Sequence, residues 1–233
     1  YIIFGIVLLG LLLNPYIFSG RYGGIVWNPN ALSSFTTIAF AILLFKKEEK
    51  SNSDYVLMFL FIIVALATGS RGVVAGISLA YILRYGLSLR NIMYAILGII
   101  LYLFVLNFNF DTSLNRLGAQ SLLNDRTEQY YYAIETFLQK PILGWGLGNY
   151  AYINEDIVPF HLRGHTISAH NGYLALLVQY GIIFSLLVFY IIFNKAISVV
   201  YFFRKEKVGY TVFYSYLIIY ALVASIYETL ITG

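Results

Sequence analysis

The chain has 233 residues, of which 60% are hydrophobic and 11% charged, with a mean hydropathy of +0.75. Soluble domains carry about 25% charged residues, so this composition excludes an ordinary soluble protein and leaves an integral membrane one. Cysteine is absent, which excludes disulfides, thiolate nucleophiles and cysteine-held metals. The net charge of +4 is read as a cytoplasmic excess of Lys and Arg, not as a nucleic-acid footprint.

Continuous apolar runs of about 17–25 residues read as spanning helices, whereas outer-membrane strands alternate over about ten. The predicted class is all-α: a polytopic transmembrane bundle of about seven spans with one long external loop. The first run, 1–18, opens without a charged segment ahead of it. It reads as a span rather than a signal peptide, and the sequence as part of a longer polytopic protein. Asn14-Pro15 kinks or ends this run. A turn follows over Arg21 to Asn30, with Gly23-Gly24 and Asn28-Pro29-Asn30. Run two covers 31–45, and KKEEKSNSD after it is a solvated loop. Runs three (55–69) and four (73–87) flank Ser70-Arg71-Gly72. Run five covers 91–107. Run six covers 172–203, with Gly181 as a break, and run seven 208–230.

The basic residues orient the bundle. Seven spans put Lys46, Lys47, Lys50, Arg84, Arg90, Lys195, Arg204, Lys205 and Lys207 on one side. Only Arg21 and Arg71 fall on the other, apart from the long loop, which counts little. The nine-residue side is cytoplasmic, and residues 108–171 face outward. A single helix through runs three and four would bury Arg71 and break the charge bias, so the pair reads as a hairpin with Arg71 at its outer tip. A guanidinium at that depth is costly unless paired, and a lipid phosphate would offset the cost. Residues 1–107 thus form spans one to five and 172–233 the last two.

The external stretch holds His161, His165 and His170, all the histidines of the chain, together with Arg116, Arg126, Lys140 and Arg163. Asp125 to Gln139 reads as an amphipathic helix. Asp125 and Glu128 have capping spacing, Tyr130, Ala133, Ile134, Phe137 and Leu138 repeat on one face, and Pro141 stops it. Arg126 sits at the start of that helix, where free N–H groups already favour anions. It reads either as a phosphate clamp or as a cation snorkelling at the membrane surface.

Gly144-Trp145-Gly146-Leu147-Gly148-Asn149 follows a helix and a proline, not a strand, so it is not a dinucleotide fingerprint. It is a tight turn that lets backbone approach closely. His161 and His165 are four apart, but Gly164 lies between them and no zincin pattern follows, so no metal site is expected. His170 enters run six in AHNGYLALLVQYGI. An imidazole there can act as a base near neutral pH. Its neighbour Asn171 either orients a hydroxyl or caps the helix.

Three landmarks now stand in order: Ser70-Arg71-Gly72 at a hairpin, Arg126 opening a helix that leads to Pro141–Asn149, and His170-Asn171 entering a membrane helix. The chain resembles the O-antigen ligase and polymerase superfamily of bacterial polytopic membrane proteins, most clearly over residues 59–190. Ligases of that family carry His-Asn, nine residues, then Gly-x-x-Thr-Gly. Here Gly181 arrives at that spacing, but Phe184 and Ser185 replace Thr-Gly, which leaves the polymerase branch open beside the ligase one.

The resemblance implies glycosyl transfer on the outer face of the plasma membrane, without metal, nucleotide or other cofactor. The donor would be a glycan on undecaprenyl diphosphate and the acceptor a hydroxyl of a glycan or glycolipid. Arg71 and Arg126 would contact the diphosphate, and His170 would be the base or would position the acceptor. Arg163, Asn171 and His165 are further candidates for substrate contact. The competing readings are a transporter or flippase for a lipid-linked anion and a non-catalytic assembly subunit. A transporter concentrates ionisable residues within its helices. Here the spans are almost free of charge apart from Glu228, and charge collects in one loop.

Overall fold

The computed structural model describes residues 2–17, 20–94, 124–146, 158–160, 163, 171–206 and 211–226, with the backbone alone at 71, 124–126, 204 and 206. Among the described residues the regular elements are helices: α1 (Ile2–Leu13), a short 3-10 turn (Gly24–Val26), α2 (Pro29–Phe45), α3 (Asn52–Ala67), α4 (Arg71–Tyr85), α5 (Asn124–Gln139), α6 (Gly172–Glu206) and α7 (Thr211–Ala224). They divide between two units, Tyr1–Gln120 with Lys207–Leu217, and Ser121–Glu206 with Ile218–Gly233.

The first unit is built on α2. Asn28 starts this helix, its Oδ1 accepting from Asn30 N at 2.9 Å and Ala31 N at 3.3 Å, and Pro29 supplies a pre-set φ at the first position. The buried face of α2 mixes small and large residues: Leu32, Ser33, Thr36, Thr37, Ala39, Phe40, Ala41, Leu44 and Phe45. Small side chains let α3 and α4 pack closely against it, as membrane helices do when lipid gives no hydrophobic drive for association. Thr36 keeps its hydroxyl satisfied within the helix by donating to the Leu32 carbonyl at 2.8 Å. At the other end of α2, Phe45 meets Phe213 and Tyr216 of α7 at ring distances of 6.2 and 5.8 Å.

Runs three and four are two helices, not one. Thr68 ends α3, its hydroxyl donating to Ala65 O at 2.6 Å. Gly69 then turns the chain at φ +61°, and Arg71 opens α4. Arg84, at the far end of α4, lies close enough to Lys50 to repel its charge. That places α4 antiparallel to α3, as the hairpin reading requires. Burial is the larger influence on Lys50 and, with Arg84, holds its ammonium below the usual lysine range.

The KKEEKSNSD loop is more ordered than its polarity predicts. Ser51 and Asp54 form a capping box: Asp54 N donates to Ser51 Oγ at 3.3 Å and Ser51 N to Asp54 Oδ2 at 2.9 Å. Lys46 Nζ joins the same carboxylate oxygen at 2.9 Å. The hydrogen bond from Lys46, followed by those from Ser51, holds the Asp54 carboxyl below its ordinary range. A carboxyl depressed on folding stabilises above its unfolded pKa, and that stability is lost as pH falls through the folded value. Asp54→Asn is therefore expected to flatten the acid limb of the stability curve below about pH 4. Thermal unfolding of both proteins across that range checks it, and identical limbs would sink the idea.

The second unit contains α6. Its segment Gly172–Phe203, 32 residues, is long and apolar enough to cross a membrane. Even the part after Gly181 reaches about 33 Å at 1.5 Å per residue, against a hydrocarbon core of about 30 Å. Ile183, Leu186, Leu187, Tyr190, Ile197 and Tyr201 on this helix are all exposed, which suits lipid rather than water. The other apolar helices run 10–17 residues. α1 is shorter than the run that predicted it because the end of the run is given over to a turn, whereas α2 and α3 start ahead of theirs, at Pro29 and Asn52. Asn14 and Pro15 lie beyond the end of α1, and Thr68 and Gly69 beyond the end of α3. Run five is described only over 91–94, inside a helical turn of residues 89–94, and Glu228 lies outside the described residues.

Candidate functional site

Helix α5 begins at Asn124, one residue before its predicted start, so Asp125 and Arg126 both lie in its first turn. Its apolar face is the predicted one in part. Ala133 is buried with Val158 and Val178, and Tyr132, Phe137, Trp145 and Leu174 pack around them. The last turn is finished by the Trp of the Gly-Trp-Gly motif. Trp145 Nε1 donates to Thr136 O at 2.9 Å, one of the four carbonyls a helix end leaves without a partner. Lys140 Nζ stands 3.9 Å from the centre of the indole ring, a cation–π contact at the turn.

That turn docks onto a break in α6. Gly181 has φ 66° and ψ −177°, far from helical values. Such a break withdraws partners from the flanking backbone groups. In a water-poor setting each unmet group costs several kcal/mol. The turn supplies the partners: Trp145 N donates to Val178 O at 2.9 Å, Gly146 N to Gln179 O at 2.8 Å, and Ile182 N to Pro141 O at 2.7 Å. Ser185 adds a bond from its hydroxyl to Leu176 O at 2.8 Å.

Backbone lies directly on backbone here, and only glycine permits it. A Cβ added to Gly144, itself at φ +70°, would stand 2.5 Å from Gln179 O, and one added to Gly181 would stand 2.6 Å from Gly144 N. The close approach expected of the Gly-rich turn is therefore real over Gly144 to Gly146, with α6 as the partner. Residues 147–149 of the motif lie outside the described residues.

The start of α6 is fixed from both sides. Asn171 Oδ1 accepts from Tyr173 N and Leu174 N, each at 3.0 Å, so the helix-cap reading of Asn171 holds. Gly172 N donates to Ser225 O at 2.9 Å and the Tyr173 hydroxyl to Leu222 O at 2.8 Å. Tyr130, one turn beyond Arg126, donates its hydroxyl to Ile226 O at 3.0 Å. The second turn of α5 and the start of α6 are thus tied to adjacent residues, Ile226 and Ser225. Tyr130 was read from periodicity as one more apolar-face residue. A tyrosine at the edge of such a face, with a hydroxyl that needs a partner, was the available signal for its second role.

The two roles of Asn171 can be separated. Asn171→Ala is expected to lower stability by about 1 kcal/mol, the usual cost of a lost N-cap. Asn171→Asp keeps the cap and the melting temperature but removes the amide donor. A fall in glycan transfer with Asp at an unchanged melting temperature assigns a substrate contact, while unchanged transfer limits Asn171 to capping.

The other predicted site residues stand as follows. Arg163 lies at an exposed turn, its Nε donating to Val158 O at 3.1 Å, which ties it to the small core under α5. Arg71 opens α4 in the first unit, behind a Ser70 that makes no side-chain cap bond. His161, His165 and His170 lie outside the described residues, and Arg71 and Arg126 are described by their backbones. Comparison with curated proteins finds no match. Residues 56–190, more than half of the chain, match the family model described as O-antigen ligase. That span runs from the start of α3 past the break at Gly181 and takes in the Arg71 hairpin, α5, the Gly-Trp-Gly turn and the capped start of α6. The chain belongs to the O-antigen ligase family, membrane proteins of polysaccharide biosynthesis.

Proposed function

We propose that the protein transfers a glycan from undecaprenyl diphosphate to an acceptor hydroxyl on the outer face of the bacterial plasma membrane. Residues 108–171 form the external catalytic loop of a bundle of about seven spans. The observation that carries this reading, beside family membership, is the shared anchor of α5 and α6. Tyr130 and Gly172 bond to the adjacent carbonyls of Ile226 and Ser225. This favours Arg126 and His170 acting on one substrate.

In the proposed step the acceptor oxygen attacks the anomeric carbon of the donor. His170 takes the hydroxyl proton, the bond from that carbon to the phosphate oxygen breaks, and the lipid diphosphate leaves with the electron pair. Arg71 and Arg126 hold the negative charge that grows on the leaving group. Guanidinium forks suit two phosphate oxygens at once and are most effective where water is scarce. Arg163, Asn171 and His165 hold the acceptor. Acceptors of this class are glycans or glycolipids, which covers both ligation and polymerisation.

The test is transfer by the purified protein in lipid nanodiscs, given a glycan on undecaprenyl diphosphate and a glycan acceptor. His170→Ala is expected to lower the rate about 10²–10⁴-fold, as loss of a general base does, with normal abundance in the membrane. Unchanged product sinks the role of His170. EDTA is expected to leave transfer unchanged, and inhibition reversed by an added divalent ion would overturn the metal-independent route. In a deletion strain, single repeats would identify a polymerase. Long chains stranded on the carrier lipid would identify a ligase. An unchanged glycan profile would favour transport or assembly instead.

A further inference from the structure

Helix α5 carries more apolar surface than its core uses. Ala133 is buried and Phe137 packs against it, but Ile134 and Leu138, expected on the same face, are exposed. With Tyr131 they repeat at i, i+3 and i+7, which sets them in a line along one side of the helix. Tyr131 is 56% exposed and Leu138 57%. In the turn that follows, Ile142 and Leu143 are exposed by 59% and 68%. The acids Glu128 and Glu135 repeat seven residues apart on a separate line, roughly 80° round the helix at 3.6 residues per turn. One apolar side of α5 thus faces the protein, and a second faces outward.

The level of this outward side is set by α6. The turn is bonded to the break at Gly181 through Trp145, Gly146 and Ile182. The apolar segment of α6 ends at Phe203, ahead of Arg204, Lys205, Glu206 and Lys207. Residues 182–203 alone reach about 33 Å, enough to cross a hydrocarbon core of about 30 Å. Gly181 therefore lies no farther out than the edge of that core, and the turn docked on it stands at the level of lipid. Exposed Ile182, Ile183 and Phe184 carry the apolar surface on from the break along α6. Lys140, between the stripe and the turn, adds a cation of the kind that suits phosphates above such a surface.

We propose that α5 is seated in the membrane surface, with Tyr131, Ile134, Leu138, Ile142 and Leu143 against the acyl chains of the leaflet. The occupant of this face is the bilayer itself, not a second copy of the chain or a soluble partner. The inference stands on the placement of α5 against α6 and does not need the transfer activity. A helix lying in the surface also keeps its first turn, which contains Arg126, near the depth of lipid phosphates.

The chain has no cysteine, so single cysteines can be read without background. Ile134→Cys, Leu138→Cys and Leu143→Cys are each spin-labelled in the full chain, in nanodiscs of phosphatidylethanolamine and phosphatidylglycerol. Collision of the label with oxygen, which concentrates among acyl chains, is measured against collision with a water-soluble nickel chelate. Leu187→Cys, exposed on α6, is the lipid reference, and Gln139→Cys, also exposed, is the water-side one. A variant that melts below the parent is replaced by Tyr131→Cys or Ile142→Cys on the same face. The oxygen-to-nickel ratio at the three stripe positions is expected to match that at Leu187 and to exceed that at Gln139. A ratio as low as that at Gln139 would put the stripe in water and overturn the proposal. Protection from both agents would mean that protein covers the face, a second copy or another chain, and would overturn it too. Nickel access at Leu187 itself would remove the depth argument and the proposal with it.

Discussion

Gly181→Ala is expected to destabilise the protein by more than about 3 kcal/mol and to remove measurable transfer. Two separate penalties meet at this position. Its backbone, at φ 66° and ψ −177°, lies in a region essentially reserved for glycine, where another residue costs about 1–3 kcal/mol. The new methyl would also stand 2.6 Å from Gly144 N and against the Ile142 carbonyl, and neither is a flexible side-chain end that can move aside. Relief would require the turn to lift off α6, which gives up the bonds from Trp145, Gly146 and Ile182. Gly144→Ala should behave alike. Because the two sites share one contact, the double variant should cost less than the sum of the singles. Gly5→Ala is the control: its Cβ would meet nothing within 4 Å in the middle of α1, and alanine favours helix. Thermal unfolding in detergent reads all four. A Gly181→Ala protein that melts like the parent would show that the contact between turn and helix does not hold the second unit together.

The second large effect is expected from Arg126→Lys and Arg71→Lys. Each keeps the charge and shortens the donor set from a planar fork to a single ammonium. If the arginines stabilise a leaving diphosphate, the loss should appear mainly in kcat, by about 10²-fold or more for each, on the scale seen when one preorganised donor is removed. Membrane abundance should not change, because Arg126 lies in the first turn of α5 and Arg71 in the first turn of α4, each at a helix end. Near-normal turnover from both variants would undo the diphosphate clamp and leave snorkelling as the reading of Arg126. A rise in KM without a fall in kcat would place the arginines in ground-state binding of the donor.

Much of the helical framework was legible because apolar runs and their punctuation are local. The hairpin at Arg71 followed from charge bias, and the stop of α5 from Pro141. Asn171 could be read as a cap since its helix begins at the next residue. The capping box at Ser51 and Asp54 was present as a spacing, yet the loop's polarity concealed it. What could not be read from one sequence was pairing across distance. Gly144 looked like a turn glycine and Gly181 like a helix break, and each had a sufficient local explanation. That they are necessary to one another emerges only when the two stretches of backbone lie together. The bond from Arg21 Nε to Thr68 O was hidden in the same way, since the two residues are 47 apart. Tyr130, Gly172 and the carbonyls of Ser225 and Ile226 likewise link three distant parts of the chain. For His170 the assignment still comes from the motif order.

The seam between the Pro141–Gly146 turn and the Val178–Ile182 break also constrains how this protein can be recombined. Its bonds are made by main-chain groups, so side-chain substitutions around it are tolerated as long as both glycines remain. The two stretches nevertheless form a single heritable module, although more than thirty residues separate them in the chain. A chimera that imports the Pro141–Gly146 turn from a relative should fold only if it brings the matching stretch of α6 with it. Exchanges with relatives should therefore be cut before Pro141 and after Ile182, not at the start of α6.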